Sequence, residues 1–343
     1  MNINNFFSKN NNKKVYIIAE ACDNHFGSLN LAKRMIIKAK LAGADAIKFQ
    51  HHLPDEEMLK KVPKSKNFST GDLYSFLKKN ALNLKQHLEL KKFSQINKIQ
   101  YLCTPFSLAA AKELNNRLKI DAFKIGSGEM TDIPSLKEIA KFNKPMIIST
   151  GMSMEFEIMR TYKSLKNINK KLAFLHCLSE YPVDPTDLNL GYIQILKKKF
   201  PKNIIGYSDH SINSEFAIGA VALGAQIIEK HVTLDKKMKG PDQNVSIDFE
   251  DLKILIESVR NLEKSLGKIK KIHKKEKIIR KWAFRSLVSI KDIKKGAKFT
   301  LNNTWSKRPG TGIPSFNLNK VLGKKSKIYI KKDQLIKWNQ IKK

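Results

Sequence analysis

At 343 residues the chain can hold one large domain and a small one, and no apolar run is long enough to cross a bilayer. The net charge of +34 comes from lysines spread over nearly every helix-like stretch, without a helix-turn-helix, zinc-finger or RNP-like pattern; this argues against a nucleic-acid partner but favours small anionic substrates. No signal-peptide h-region follows Met1, and Cys22, Cys103 and Cys177 form no CxxC pair or even-numbered framework, so a reducing cytoplasm is expected.

Eight short apolar, β-branched runs follow one another, most with a helix-like segment behind them: Val15–Glu20, Asp45–Gln50, Ile99–Thr104, Asp121–Gly126, Pro145–Thr150, Leu172–Cys177, Ile204–Ser208 and Gln226–His231. Ser28 is a plausible N-cap for a helix carrying Leu29, Ala32, Ile36 and Ala39, and Gly43 ends it. Leu252, Leu255, Val259, Leu262 and Leu266 repeat the helical spacing. Eight repeats over about 250 residues fit a (β/α)8 TIM barrel better than a doubly wound sheet. Residues 51–98 must hold an insertion. The stretch 267–281 is too charged to have a buried face and reads as a linker. Residues 282–343 read as short strands and turns, including Ser286–Ile290 and Lys327–Ile330. They form a small β-rich domain whose core is marginal unless it docks on a barrel. The expected domains are therefore 1–266, 267–281 and 282–343.

Strand side chains alternate between faces. One register turns Glu20, Lys48, Gln50, Thr104, Lys124, Ser149, Ser208 and His231 toward the barrel mouth. Burying two lysines and a glutamate there without a ligand would cost several kcal/mol, which points to function. Lys48 and Lys124 suit phosphate or carboxylate, and Thr104, Ser127, Ser149 and Ser208 can complete the cradle. His210 and His231 each close a strand, so two neutral imidazoles could share a divalent metal and leave positions open for water and a substrate oxygen. Cys177 reads as a buried structural thiol rather than a nucleophile. Ser208-Asp209-His210 does not suit a hydrolytic triad, because adjacent residues rarely reach one another in that geometry.

As a set, several motifs resemble the sialic acid synthase (N-acetylneuraminate synthase) family. They are Ile17-Ile18-Ala19-Glu20 with Asn24-His25-Phe26-Gly27-Ser28, Lys48-Phe49-Gln50, Thr104-Pro105-Phe106, Lys124-Ile125-Gly126-Ser127-Gly128-Glu129, Ser149-Thr150-Gly151-Met152, His176-Cys177, Tyr181-Pro182, Gly206-Tyr207-Ser208-Asp209-His210, Glu229-Lys230-His231 and Gly240-Pro241-Asp242. Arg285-Ser286 and Lys307-Arg308-Pro309-Gly310 resemble that family's C-terminal antifreeze-like (SAF) domain.

The resemblance implies condensation of phosphoenolpyruvate with an N-acetylated hexosamine aldehyde, giving a nine-carbon 2-keto acid and phosphate. It implies that His210 and His231 hold Mn2+, with Mg2+ or Co2+ as alternatives, and that Glu20 positions water or moves a proton. Lys48, Thr104, Lys124, Ser127, Ser149 and Ser208 would bind phosphoenolpyruvate. Gln50, Phe106, Glu129, Tyr181 and Asp242 would line the sugar site, joined by Arg308 from the other subunit of a domain-swapped homodimer. N-acetylmannosamine leads as the sugar, giving N-acetylneuraminate. The alternative is 2,4-diacetamido-2,4,6-trideoxymannose, giving N,N′-diacetyllegionaminate: Ser179 stands where Asn is usual, and Glu180-Tyr181-Pro182 resembles that branch. Cys22-Asp23 departs from the family, which usually has Gly followed by an aliphatic residue there. The intact Gly240-Pro241-Asp242 argues against a pseudaminic acid synthase. Outside the family, a Schiff-base aldolase or a polyanion-binding protein remain as alternative readings.

Overall fold

The computed structural model describes residues 2–8, 14–61 and 72–342. Eight parallel strands close into a barrel in chain order: β1 Tyr16–Glu20, β2 Ala46–His51, β3 Gln100–Pro105, β4 Phe123–Ile125, β5 Met146–Ser149, β6 Leu172–Cys177, β7 Ile204–Asp209 and β8 Ile227–His231. Each lies within two residues of its expected bounds. The helix after β1 runs Leu29–Ala42, with the Ser28 hydroxyl accepting from the Leu31 amide; Gly43 ends it at φ 94°, a backbone state that glycine adopts without strain. The expected insertion after β2 contains the helices Pro54–Glu57 and Leu73–Asn80, ahead of the barrel helix Leu84–Ile96. Asp248 caps the helix Phe249–Ser265, which buries Leu252, Leu255, Ile256 and Val259.

The outward-facing strand residues form one core with the surrounding helices. A second core fills the barrel's interior at the strand N-termini, where Tyr16, Ile18, Ala46, Leu102, Ala122, Ile147 and Ile227 meet. The sequence reading did not foresee its lid. A short helix, Ile3–Ser8, buries Ile3 and Phe6 completely against these residues and closes the barrel floor. At six residues, this helix is too short for its periodicity to stand out.

Contacts divide the chain into Met1–Leu266 and Gly267–Lys343. In the second unit, β9 Ser286–Ser289 and β10 Thr304–Lys307 pair antiparallel. Leu287, Ile293, Phe299, Ile313, Val321, Ile330, Ile336 and Ile341 form a core of its own. Lys327–Ile330 is not a strand; there the pairing with Ile293 is a single bridge, so too few successive residues are matched to make a ladder. Within 267–281 the charged run becomes helical from Lys274 to Ala283, with no buried residue.

Candidate active site

The mouth of the barrel holds a cavity of about 450 Å³. Its lining includes all eight residues that the alternation turned inward: Glu20, Lys48, Gln50, Thr104, Lys124, Ser149, Ser208 and His231. Phe106, Ser127, Glu129, Tyr181, His210 and Asp242 line it as well. Strand register produces this convergence, since Glu20 lies opposite Lys48 on one side and opposite His231 on the other. Gln50 lies opposite Thr104, and Ser208 opposite Glu229. Arg308 lies in the second unit, its guanidinium 5.4 Å from the centre of the Trp282 ring.

The deepest layer is ionic. Lys48 Nζ lies 2.5 Å from Glu20 and 3.8 Å from Glu229, and it donates to Thr104 Oγ1 at 2.9 Å. Lys124 Nζ is 3.1 Å from Glu229, which also accepts from the Ser208 hydroxyl at 3.0 Å. Burial works to raise the Glu229 carboxyl, but Lys124 and Lys48 hold it down at about 2. Burial wins at Glu20, whose carboxyl is raised despite Lys48. Glu229 was missing from the expected site, although it shares the inward parity of His231. Two buried cations without compensating anions would be prohibitive, and Glu229 is the second anion.

The rim is less buried and is acidic. Burial, with Glu57 nearby, raises Glu129 to about 7. Burial raises Asp23 to about 6 and also raises Asp242. His52, also missed, stacks on Phe106 at 4.2 Å and links Glu57 (2.8 Å) to Gln50 (3.0 Å). Cys177 is buried, as expected of a structural thiol, yet it lines the cavity with Sγ 3.8 Å from His210 Nδ1. Burial opposes charge on His210, but Cys177 and the Leu178 carbonyl raise its pKa to about 9.

The donor set fits a divalent cation, which would displace the proton that Cys177 and the Leu178 carbonyl favour on His210. The His210 and His231 rings lie 5.1 Å apart, centre to centre. His210 Nδ1 donates to the Leu178 carbonyl at 2.7 Å, which directs Nε2 toward Tyr181 Oη at 3.2 Å. His231 Nδ1 is buried without a partner, and burial plus the neighbouring cations keep this ring neutral, as a ligand must be. Donor atoms of Cys22, His231 and Asp242 all lie within 4.8 Å of one another. In the sequence Cys22 shows only as one of three cysteines outside any pair or framework and as a departure from the family.

A profile of the NeuB family matches residues 35–271. The chain belongs to the NeuB family. A profile of the SAF domain matches residues 284–342. The N,N′-diacetyllegionaminic acid synthase of Campylobacter jejuni subsp. jejuni is 42% identical over 338 residues, 95% of this chain and 99% of that one. A pseudaminic acid synthase of the same subspecies is 38% identical over 340 residues, 96% and 97% of the two chains. The crystal structure of N-acetylneuraminic acid (sialic acid) synthetase from Leptospira borgpetersenii serovar Hardjo-bovis, in complex with citrate, matches with a TM-score of 0.70 at 35% identity. That match covers 79% of this chain and 90% of the other. This NeuB-family chain is therefore an enzyme, a synthase of the sialic-acid (nonulosonate) type. Among the described residues no helix is long and apolar enough to cross a membrane.

Proposed function

We propose that the enzyme condenses phosphoenolpyruvate with an N-acetylated mannosamine-type aldehyde, releasing phosphate and a nine-carbon 2-keto acid. The observation that carries this reading is the Lys48–Lys124 pair at the cavity floor, surrounded by Thr104, Ser149 and Ser208. Two buried ammonium groups suit the two anionic ends of phosphoenolpyruvate, with Ser127 a further hydroxyl donor. C3 of phosphoenolpyruvate attacks the aldehyde carbon and C2 takes up water; the tetrahedral intermediate then expels phosphate by C–O cleavage. Glu20, buried beside Lys48 with its carboxyl raised by burial, is placed to orient that water or to move a proton. His210 and His231 would hold Mn2+, or Mg2+ or Co2+, which supplies Lewis-acid polarisation of the aldehyde.

Gln50, Phe106, Glu129, Tyr181 and Asp242 line the outer cavity and would meet the sugar. Two observations favour 2,4-diacetamido-2,4,6-trideoxymannose over N-acetylmannosamine, which the motifs put first. Leu73 and Leu77 join Phe106 and Met152 in the wall, a surface suited to a methyl and a second acetamido group. The 42% identity to the N,N′-diacetyllegionaminic acid synthase points the same way. The test is phosphate release from phosphoenolpyruvate with Mn2+ and each sugar, with mass spectrometry of the product. Faster turnover of the trideoxy sugar is expected. A preference for N-acetylmannosamine would restore N-acetylneuraminate as the product, and silence with both would overturn the reaction.

The role of Arg308 in a domain-swapped homodimer completes this reading. Mixing Arg308→Ala chains with His231→Ala chains should recover part of the turnover that each lacks; no recovery would place each site within one chain.

A further inference from the structure

Cys22 occupies an unusual place. It follows β1 by two residues, is fully buried and sits at φ 39°, in the left-handed region where glycine fits and a side chain is strained. Its backbone amide donates to Glu20 Oε1 at 3.1 Å. The loop that carries it is tied to the loop that carries Asp242. The Asn24 amide donates to the Val232 carbonyl and to Ser246 Oγ, both at 2.9 Å, and Gln243 Nε2 donates to Asn24 Oδ1 at 3.0 Å. Ser246 in turn donates to the Asp242 carbonyl at 2.7 Å. These bonds fix three donors of different chemistry, a thiol, an imidazole and a carboxylate, within 4.8 Å of one another. Metal–ligand bonds of roughly 2.0–2.3 Å place ligands at separations that fall within this limit. His231, nine-tenths buried, has a ring nitrogen that no protein group satisfies.

We propose that Cys22 is a metal ligand, so that the centre is a mixed sulfur, nitrogen and oxygen site built on Cys22, His231 and Asp242. The inference rests on the metal-assisted reading above, adds Cys22 and Asp242 to the pair that His231 makes with His210, and specifies which ion the site selects. A thiolate and a carboxylate balance a divalent charge, and the Cys22 thiol loses its proton to solvent as the ion binds. Sulfur shifts the preference toward Zn2+ and Co2+ and away from Mn2+ and Mg2+, which favour oxygen ligands. A glycine at this position would leave only imidazole and oxygen donors, a set that accepts the harder ions.

The test uses the full-length protein stripped with a chelator and reloaded with Co2+. Bound thiolate gives a sulfur-to-cobalt charge-transfer band in the near ultraviolet. The band is expected in the native protein and in Cys177→Ala, and absent in both Cys22→Ser and Cys22→Gly. The glycine variant suits the backbone angle, and circular dichroism verifies that both variants are folded. Zn2+ affinity should fall at least roughly tenfold in both variants, with a smaller change for Mn2+. A band that survives in the Cys22 variants, or cobalt that binds the native protein without one, would overturn the assignment while leaving metal assistance standing. No cobalt retained in equilibrium dialysis would remove both.

Discussion

Glu229 lies beside both buried cations, accepting from Lys124 and Ser208 and facing Lys48, whose nearer partner is Glu20. Glu229→Gln keeps the shape and removes the charge, which should cost on the order of 3 kcal/mol in the unliganded enzyme. Phosphoenolpyruvate brings its own negative charge to the same ammonium groups, so the loss of melting temperature should shrink in its presence. An equal loss with and without ligand would show that the anion does not reach this layer. Glu129 offers a pH test at the rim. Its folded-state value of about 7 lies above the ordinary carboxylate value of 4.5, so its favourable contribution is full below about 4.5 and lost as pH rises through about 7. The protonated form can donate to a sugar oxygen; the ionised form cannot. The apparent KM for the sugar should therefore rise above pH 7 in the native enzyme and stay flat in Glu129→Gln. Parallel profiles would remove Glu129 from the sugar site.

The helix Ile3–Ser8 acts on stability without touching the chemistry. Phe6 is fully buried in the barrel floor, so Phe6→Ala should destabilise by about 3–5 kcal/mol in denaturant unfolding and leave the KM for phosphoenolpyruvate unchanged. A changed KM would mean that the floor transmits strain to the mouth. The eight strands were readable in the sequence because β-branched runs with period-two alternation carry both their position and their inward face. The same alternation turned eight residues of the cavity inward but passed over Cys177 at the end of β6 and Glu229 in β8. It could not weigh Glu229, because its importance depends on Lys48 and Lys124 arriving from β2 and β4 when the barrel closes. Cys22 and Asp242 come together for a similar reason. They lie on loops whose positions depend on the bonds that Asn24 makes, and alternation does not extend into loops. The closing helix escaped because burial of Ile3 and Phe6 is set by a cavity shape that the sequence does not display.

At the scale of the whole molecule the net charge of +34 surrounds a cavity whose inner ion pairs nearly cancel. The surface therefore attracts anions from a distance, and on the proposed reading the cradle would bind them at contact. Raising ionic strength past about 0.1 M, where the screening length is about 10 Å, should lower kcat/KM for phosphoenolpyruvate and leave kcat nearly constant. If kcat/KM does not change with salt, the surface lysines serve only solubility.

The closed floor has a kinetic consequence. With Ile3 and Phe6 sealing one end, the described residues leave the barrel open at its mouth, and whatever rests on Lys48 and Lys124 sits behind whatever rests on Gln50, Tyr181 and Asp242. Traffic through such a passage is last in, first out. On the proposed reaction, phosphoenolpyruvate would have to arrive before the sugar, and the phosphate left behind would wait for the nine-carbon acid to clear the entrance. Inorganic phosphate should therefore compete with phosphoenolpyruvate for the empty enzyme and never with the sugar.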